Sequence, residues 1–134
     1  MKTYLVAYAA TGLAFLVLDA LWLSKMGPAF YKPVMGDAAL EGFRMAPAVV
    51  FYFLYLVGIM IFAISPALDD GRWTTALVYG ALFGFFAYAT YDLTNQATLK
   101  NWSTALSAVD IAWGTFATAM AATAGYLATG IVGR

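Results

Sequence analysis

Asp19, Asp92 and Asp110 lie inside, or at the mouths of, segments otherwise apolar enough to cross a membrane, and no Lys, Arg or His lies within those segments to neutralise them. An ionised carboxylate near the middle of a bilayer costs about 2.5–3.5 kcal/mol on insertion scales. Such groups therefore face a protein interior or a water-filled cavity, and they are the first places to look for function. Carboxylates without basic partners can hold a cation, share a proton or act as general acids. Desolvation and mutual repulsion both disfavour the charged forms, so at least one of the three is expected to keep a proton near neutral pH.

Other chemistry is excluded by composition. The 134-residue chain has no cysteine and no histidine. That removes disulfides, thiol nucleophiles, imidazole acid–base catalysis and the usual ligands of zinc and haem. Seven basic residues balance seven acidic ones, leaving no basic face for nucleic acid. No cofactor site and no metal site are expected, although a hard cation such as Mg²⁺ can bind carboxylates. Only 10% of residues are charged and 63% are hydrophobic. A soluble domain carries about 25% charged residues, so most of this chain has no water to face.

The elements that must position the acids are membrane helices. A crossing needs about 20 mostly apolar residues, and the chain offers four: Tyr4 to Leu23, Pro47 to Ile64, Thr74 to Asn95, and Trp102 to Thr129. The expected fold is all-α, a single four-helix transmembrane domain over residues 1–134. Its helices form an antiparallel bundle with an interfacial loop between helices 1 and 2. Ser65-Pro66 and the polar turn Asp69 to Arg72 are expected to stop the second span. Within the first loop, Asp37 to Phe43 is expected to form a short interfacial helix. The apolar N-terminal segment reads as a retained first helix rather than a signal peptide, because it is long and contains Asp19. Trp22, Trp73 and Trp102 fall near predicted boundaries, where indole rings prefer to sit. Basic residues divide almost evenly between the two sides, so they give no orientation.

Parity places the end of span one, the end of span three and the start of span four on one side of the membrane. All three carboxylates then share one half of the bilayer. Helical spacing sharpens this convergence. Gly80, Gly84, Tyr88, Asp92 and Asn95 form a stripe on span three, and Tyr8, Gly12, Phe15, Asp19 and Trp22 share a face of span one. Ser103, Ser107, Asp110, Gly114, Ala117, Ala121 and Ala124 make a small-residue stripe on span four. Phe51, Tyr55, Gly58 and Phe62 present an aromatic wall on span two. Asp19-Ala-Leu-Trp22 and Asp110-Ile-Ala-Trp113 both read D-x-x-W, each placing an acid and an indole on one helical face.

The candidate ligand- or proton-binding residues are therefore Asp19, Asp92, Asp110, Asn95, Tyr88, Tyr91, Trp22 and Trp113. Catalytic residues are not identified. Most of the remaining aromatic rings are expected to face lipid or fill the core.

The runs Leu18-Asp19-Ala20-Leu21-Trp22, Tyr91-Asp92-Leu93-Thr94-Asn95-Gln96-Ala97-Thr98-Leu99 and Val109-Asp110-Ile111-Ala112-Trp113-Gly114 resemble a domain-of-unknown-function family of small bacterial inner-membrane proteins. The resemblance spans nearly the whole chain. It implies a multi-pass protein of the bacterial cytoplasmic membrane with four helices, and it supplies no activity.

The leading functional expectation is an intramembrane acidic pocket that binds or transports a small cationic or amphipathic ligand, coupled to protons. Aromatic rings beside carboxylates suit organic cations. One alternative is a membrane-embedded enzyme that modifies a lipid or isoprenoid chain with an Asp as general acid. Another is an accessory subunit whose acids pair with basic groups of a partner. Expected partners are membrane lipids and a small-molecule or lipid ligand, with no nucleic acid. The GxxxG pattern of Gly80 and Gly84 also suggests a homodimer through that face.

Overall fold

The computed structural model describes residues 2–26 and 45–132, and the described residues contain no strand. In a bilayer every backbone N–H and C=O must be satisfied within the chain, which leaves helices as the open choice for apolar segments of this length. The first span is α1 (Lys2–Met26). The second is α2 (Met45–Ile59), continued through a π-helical turn (Met60–Ile64) into α3 (Ser65–Asp70). The third is α4 (Trp73–Thr98) and the fourth is α5 (Thr104–Ile131). Four helical stretches are thus long and apolar enough to cross a membrane. The interfacial helix expected over Asp37 to Phe43 lies outside the described residues.

Pro66 does not stop the second span. It has no N–H to donate, and its ring would collide with a carbonyl one turn back in a regular helix. The chain widens instead: the Ser65 N–H donates to the Met60 carbonyl, five residues back, and helix continues to Asp70. The stop comes at Gly71, the one described residue with positive φ, at +68°. Its N–H donates to the Ala67 carbonyl at 2.8 Å, while Thr75 donates its hydroxyl to Asp70 Oδ2 at 3.0 Å across the turn.

α5 is the hub. It packs along α4 on one side and α1 on the other, while the second span joins mainly through its π turn and α3. Small residues make this possible. A Cβ on Gly84 would lie 2.4 Å from the Gly114 carbonyl oxygen, and one on Gly80 would lie 2.9 Å from Ala122 Cβ. The GxxxG face of α4 is therefore packed against α5 within the chain. Gly125 of α5 admits the Thr11 side chain of α1 in the same way.

α2 stands further off. Residues 46–51 are all exposed, and two reciprocal bonds tie α2 to α1. Tyr8 donates its hydroxyl to the Phe53 carbonyl at 3.3 Å, and Tyr52 donates to the Gly12 carbonyl. Large apolar residues such as Leu13, Leu54, Phe62, Phe86 and Phe116 coat the outside, as lipid-facing surfaces require.

Candidate functional site

The acids occupy the end of the bundle where α1 and α4 finish and α2 and α5 begin. Asp92 lies six residues before the end of α4, and Asp110 six residues after the start of α5. At 1.5 Å per residue, each sits about 9 Å below its helix terminus. Asp92 is fully buried and Asp110 is 7% exposed. Their carboxyl groups lie close enough to interact. Both groups are acceptors when ionised, so this contact becomes a hydrogen bond only with a proton between them. Among the described residues no other donor reaches either oxygen of Asp92. Asp19, half-buried on α1, lies within electrostatic reach of Asp110 from the other side. The three carboxyls form a row with Asp110 in the middle. Among the described residues they do not gather tightly enough to hold one metal ion.

Aromatic rings enclose the row. Trp22 and Trp113, the two indoles of the D-x-x-W pair, stack with centroids 4.4 Å apart and planes 7° from parallel. The Trp113 Nε1 faces the Asp19 carboxyl but has no acceptor in normal hydrogen-bond geometry. Tyr88 lies against Gly114, where any Cβ would strike its ring at about 2.1 Å, and meets Tyr55 edge-on at 6.3 Å. Tyr55 packs in turn on Phe15 at 5.4 Å and Phe83 at 5.1 Å, and its hydroxyl is paired with Thr118 at 2.7 Å. These rings form a floor on the side of the site nearer the bilayer centre.

Tyr91 and Asn95 sit toward the edge. Tyr91 is 54% exposed, lies near Asn95 and packs edge-on against Trp102 at 5.7 Å. Trp102 is not a lipid anchor. It is buried in the α4–α5 connection, donating Nε1 to Ser107 Oγ at 3.1 Å, while Ser107 donates onward to the Asp92 carbonyl at 3.3 Å. Trp22 also faces inward, leaving Trp73, half-exposed at the opposite end, as the ring placed where a boundary anchor belongs.

Several residues beside the acids were not among the expected site residues. Gln96 lies one turn beyond Asp92 on the same stripe, with a buried Oε1 that has no donor. Tyr52 and Tyr55 lie within electrostatic reach of Asp19. Parity alone would have brought them there, since the start of span two shares a side with the end of span one. Of the aromatic wall expected on span two, Tyr55 is buried and Gly58 abuts Phe83, while Phe51 and Phe62 point outward.

A fold of four apolar helices with its ionisable groups turned inward defines a multi-pass α-helical membrane protein. Residues 4–127 match the family model described as predicted membrane protein (DUF2177), and the chain belongs to that family. Neither a curated protein nor a solved structure matches it.

Proposed function

We propose that this is a multi-pass protein of a bacterial inner membrane that binds a small cationic or amphipathic ligand at the Asp92–Asp110 pair, as a transporter or carrier coupled to protons. Helical spans, rather than a β-barrel, support the inner-membrane location. The observation that carries the reading is Asp92, buried completely with neither carboxyl oxygen supplied by a donor among the described residues, beside a second carboxyl. A cation or a proton satisfies the oxygens of Asp92, and the two compete for them. The aromatic floor of Tyr55 and Tyr88 adds ring faces suited to an organic cation. Unsatisfied acceptors favour binding over the enzymatic alternative, which requires a committed donor poised over a reacting chain.

Titration of the full chain in lipid nanodiscs with phenethylammonium tests this. Wild type is expected to bind saturably, Asp92→Asn and Asp110→Asn to lose at least about tenfold in affinity, and the anion 3-phenylpropionate not to bind. Equal binding of the anion and the cation would sink the reading.

A further inference from the structure

We infer that the site selects its ligand by N–H groups, taking a primary or secondary ammonium and rejecting a quaternary one, and that Gln96 shares this selection with Asp92. The inference rests on the binding role proposed above and names the ligand's chemistry.

Gln96 follows Asp92 by four residues, so both lie on one face of α4. Its Nε2 donates to Thr104 Oγ1 at 2.8 Å. Its Oε1 is buried and has no donor among the described residues, as is true of Oδ1 and Oδ2 of Asp92. Three acceptor atoms one helical turn apart thus lack donors among the described residues. Two donors near Asp92 are committed elsewhere. Trp102 Nε1 serves Ser107, and Ser107 serves the Asp92 backbone carbonyl.

The aromatic faces alone would take any organic cation, methylated or not, because cation–π attraction needs no N–H. The acceptors do discriminate. Buried acceptors left unmatched carry a desolvation penalty, whereas an ammonium offers each of them a charge-assisted donor. A trimethylated nitrogen keeps the charge and offers no donor, so it neutralises the carboxyls while stranding all three oxygens.

The test is calorimetric titration of the full chain in nanodiscs with phenethylammonium and its N-methyl, N,N-dimethyl and N,N,N-trimethyl derivatives, against empty nanodiscs. Affinity is expected to fall along the series, with the trimethyl compound at least about tenfold weaker than the primary amine. Gln96→Met, close in shape but without the amide acceptor, is expected to flatten the series while leaving the trimethyl affinity unchanged. Trimethyl binding as tight as the primary amine in wild type would overturn the inference and leave the cation-binding role standing. Absence of saturable binding by every member would overturn both. An undiminished preference for N–H in a helical Gln96→Met protein would remove Gln96 from the selection.

Discussion

Trp22 of α1 lies flat on Trp113 of α5, with ring centroids 4.4 Å apart and planes 7° from parallel. Each indole stands one turn from an aspartate on its own helix, so the stack brings the two D-x-x-W turns together. Trp113 thereby comes to face Asp19, the acid of the other motif. The antiparallel crossing of α1 and α5 converts a two-residue sequence echo into a shared wall of the site.

Stacked indoles couple electronically and give a paired circular-dichroism signal. Trp22→Phe and Trp113→Phe are each expected to abolish that signal, because either change removes one oscillator. Each is also expected to lower stability by about 0.5–1.5 kcal/mol beyond the lost area. Trp73→Phe, at the far end of the bundle, should leave the signal intact.

Asp92 is placed at a cost to the fold, and its replacement shows this. In Asp92→Asn the amide supplies toward Asp110 the donor that only a bound proton supplies in the wild type. The variant is expected to unfold at or above the wild-type temperature, by up to about 1 kcal/mol, while losing amine binding. A marked drop in melting temperature would make Asp92 a structural residue instead.

Gly84→Ala and Gly80→Ala should differ in a predictable order. The new methyl at 84 meets backbone, the Gly114 carbonyl oxygen at 2.4 Å, while the one at 80 first meets Ala122 Cβ at 2.9 Å. Overpacking of this kind costs about 1–3 kcal/mol, with Gly84→Ala the larger loss. Unfolding in mixed detergent micelles measures both.

Much of this arrangement was legible before any coordinates. The stripe Gly80, Gly84, Tyr88, Asp92 faces inward as helical spacing requires, and parity gathers the acids at one end. What spacing did not reveal depended on neighbours. Pro66 reads as a terminator, yet a single π-helical turn absorbs it, since one widened turn costs less than abandoning helix inside a bilayer. Trp22 and Trp102 stand where boundary anchors stand, and only the packing of α1 and α4 on α5 turns them inward. Gln96 and Asn95 fit one stripe with Asp92 equally well, by steps of four and three, and it is the burial of Gln96 Oε1 that draws attention to Gln96.

The contact of α1 with α2 rests on two tyrosine hydroxyls bonded to backbone carbonyls, Tyr8 to Phe53 and Tyr52 to Gly12. Removing both, in Tyr8→Phe with Tyr52→Phe, forfeits about 0.5–1.5 kcal/mol for each bond. Amide hydrogen exchange is expected to quicken over Met45–Ile59 and stay unchanged in α4 and α5. Uniform quickening would mean that the bonds support the whole bundle.

Asp92 and Asp110 sit about 9 Å below their helix ends, in a hydrocarbon layer about 30 Å thick. A charge arriving there from the nearer surface traverses roughly a third of the electric field across the membrane. A full crossing is worth about 2.3 kcal/mol per 100 mV for one elementary charge, so occupancy of this site should respond to voltage by about 0.7 kcal/mol per 100 mV. Most of the work done by the potential then falls on the path between the acids and the far surface, past Gly80, Ala122 and Gly125, where small residues bring the helices together.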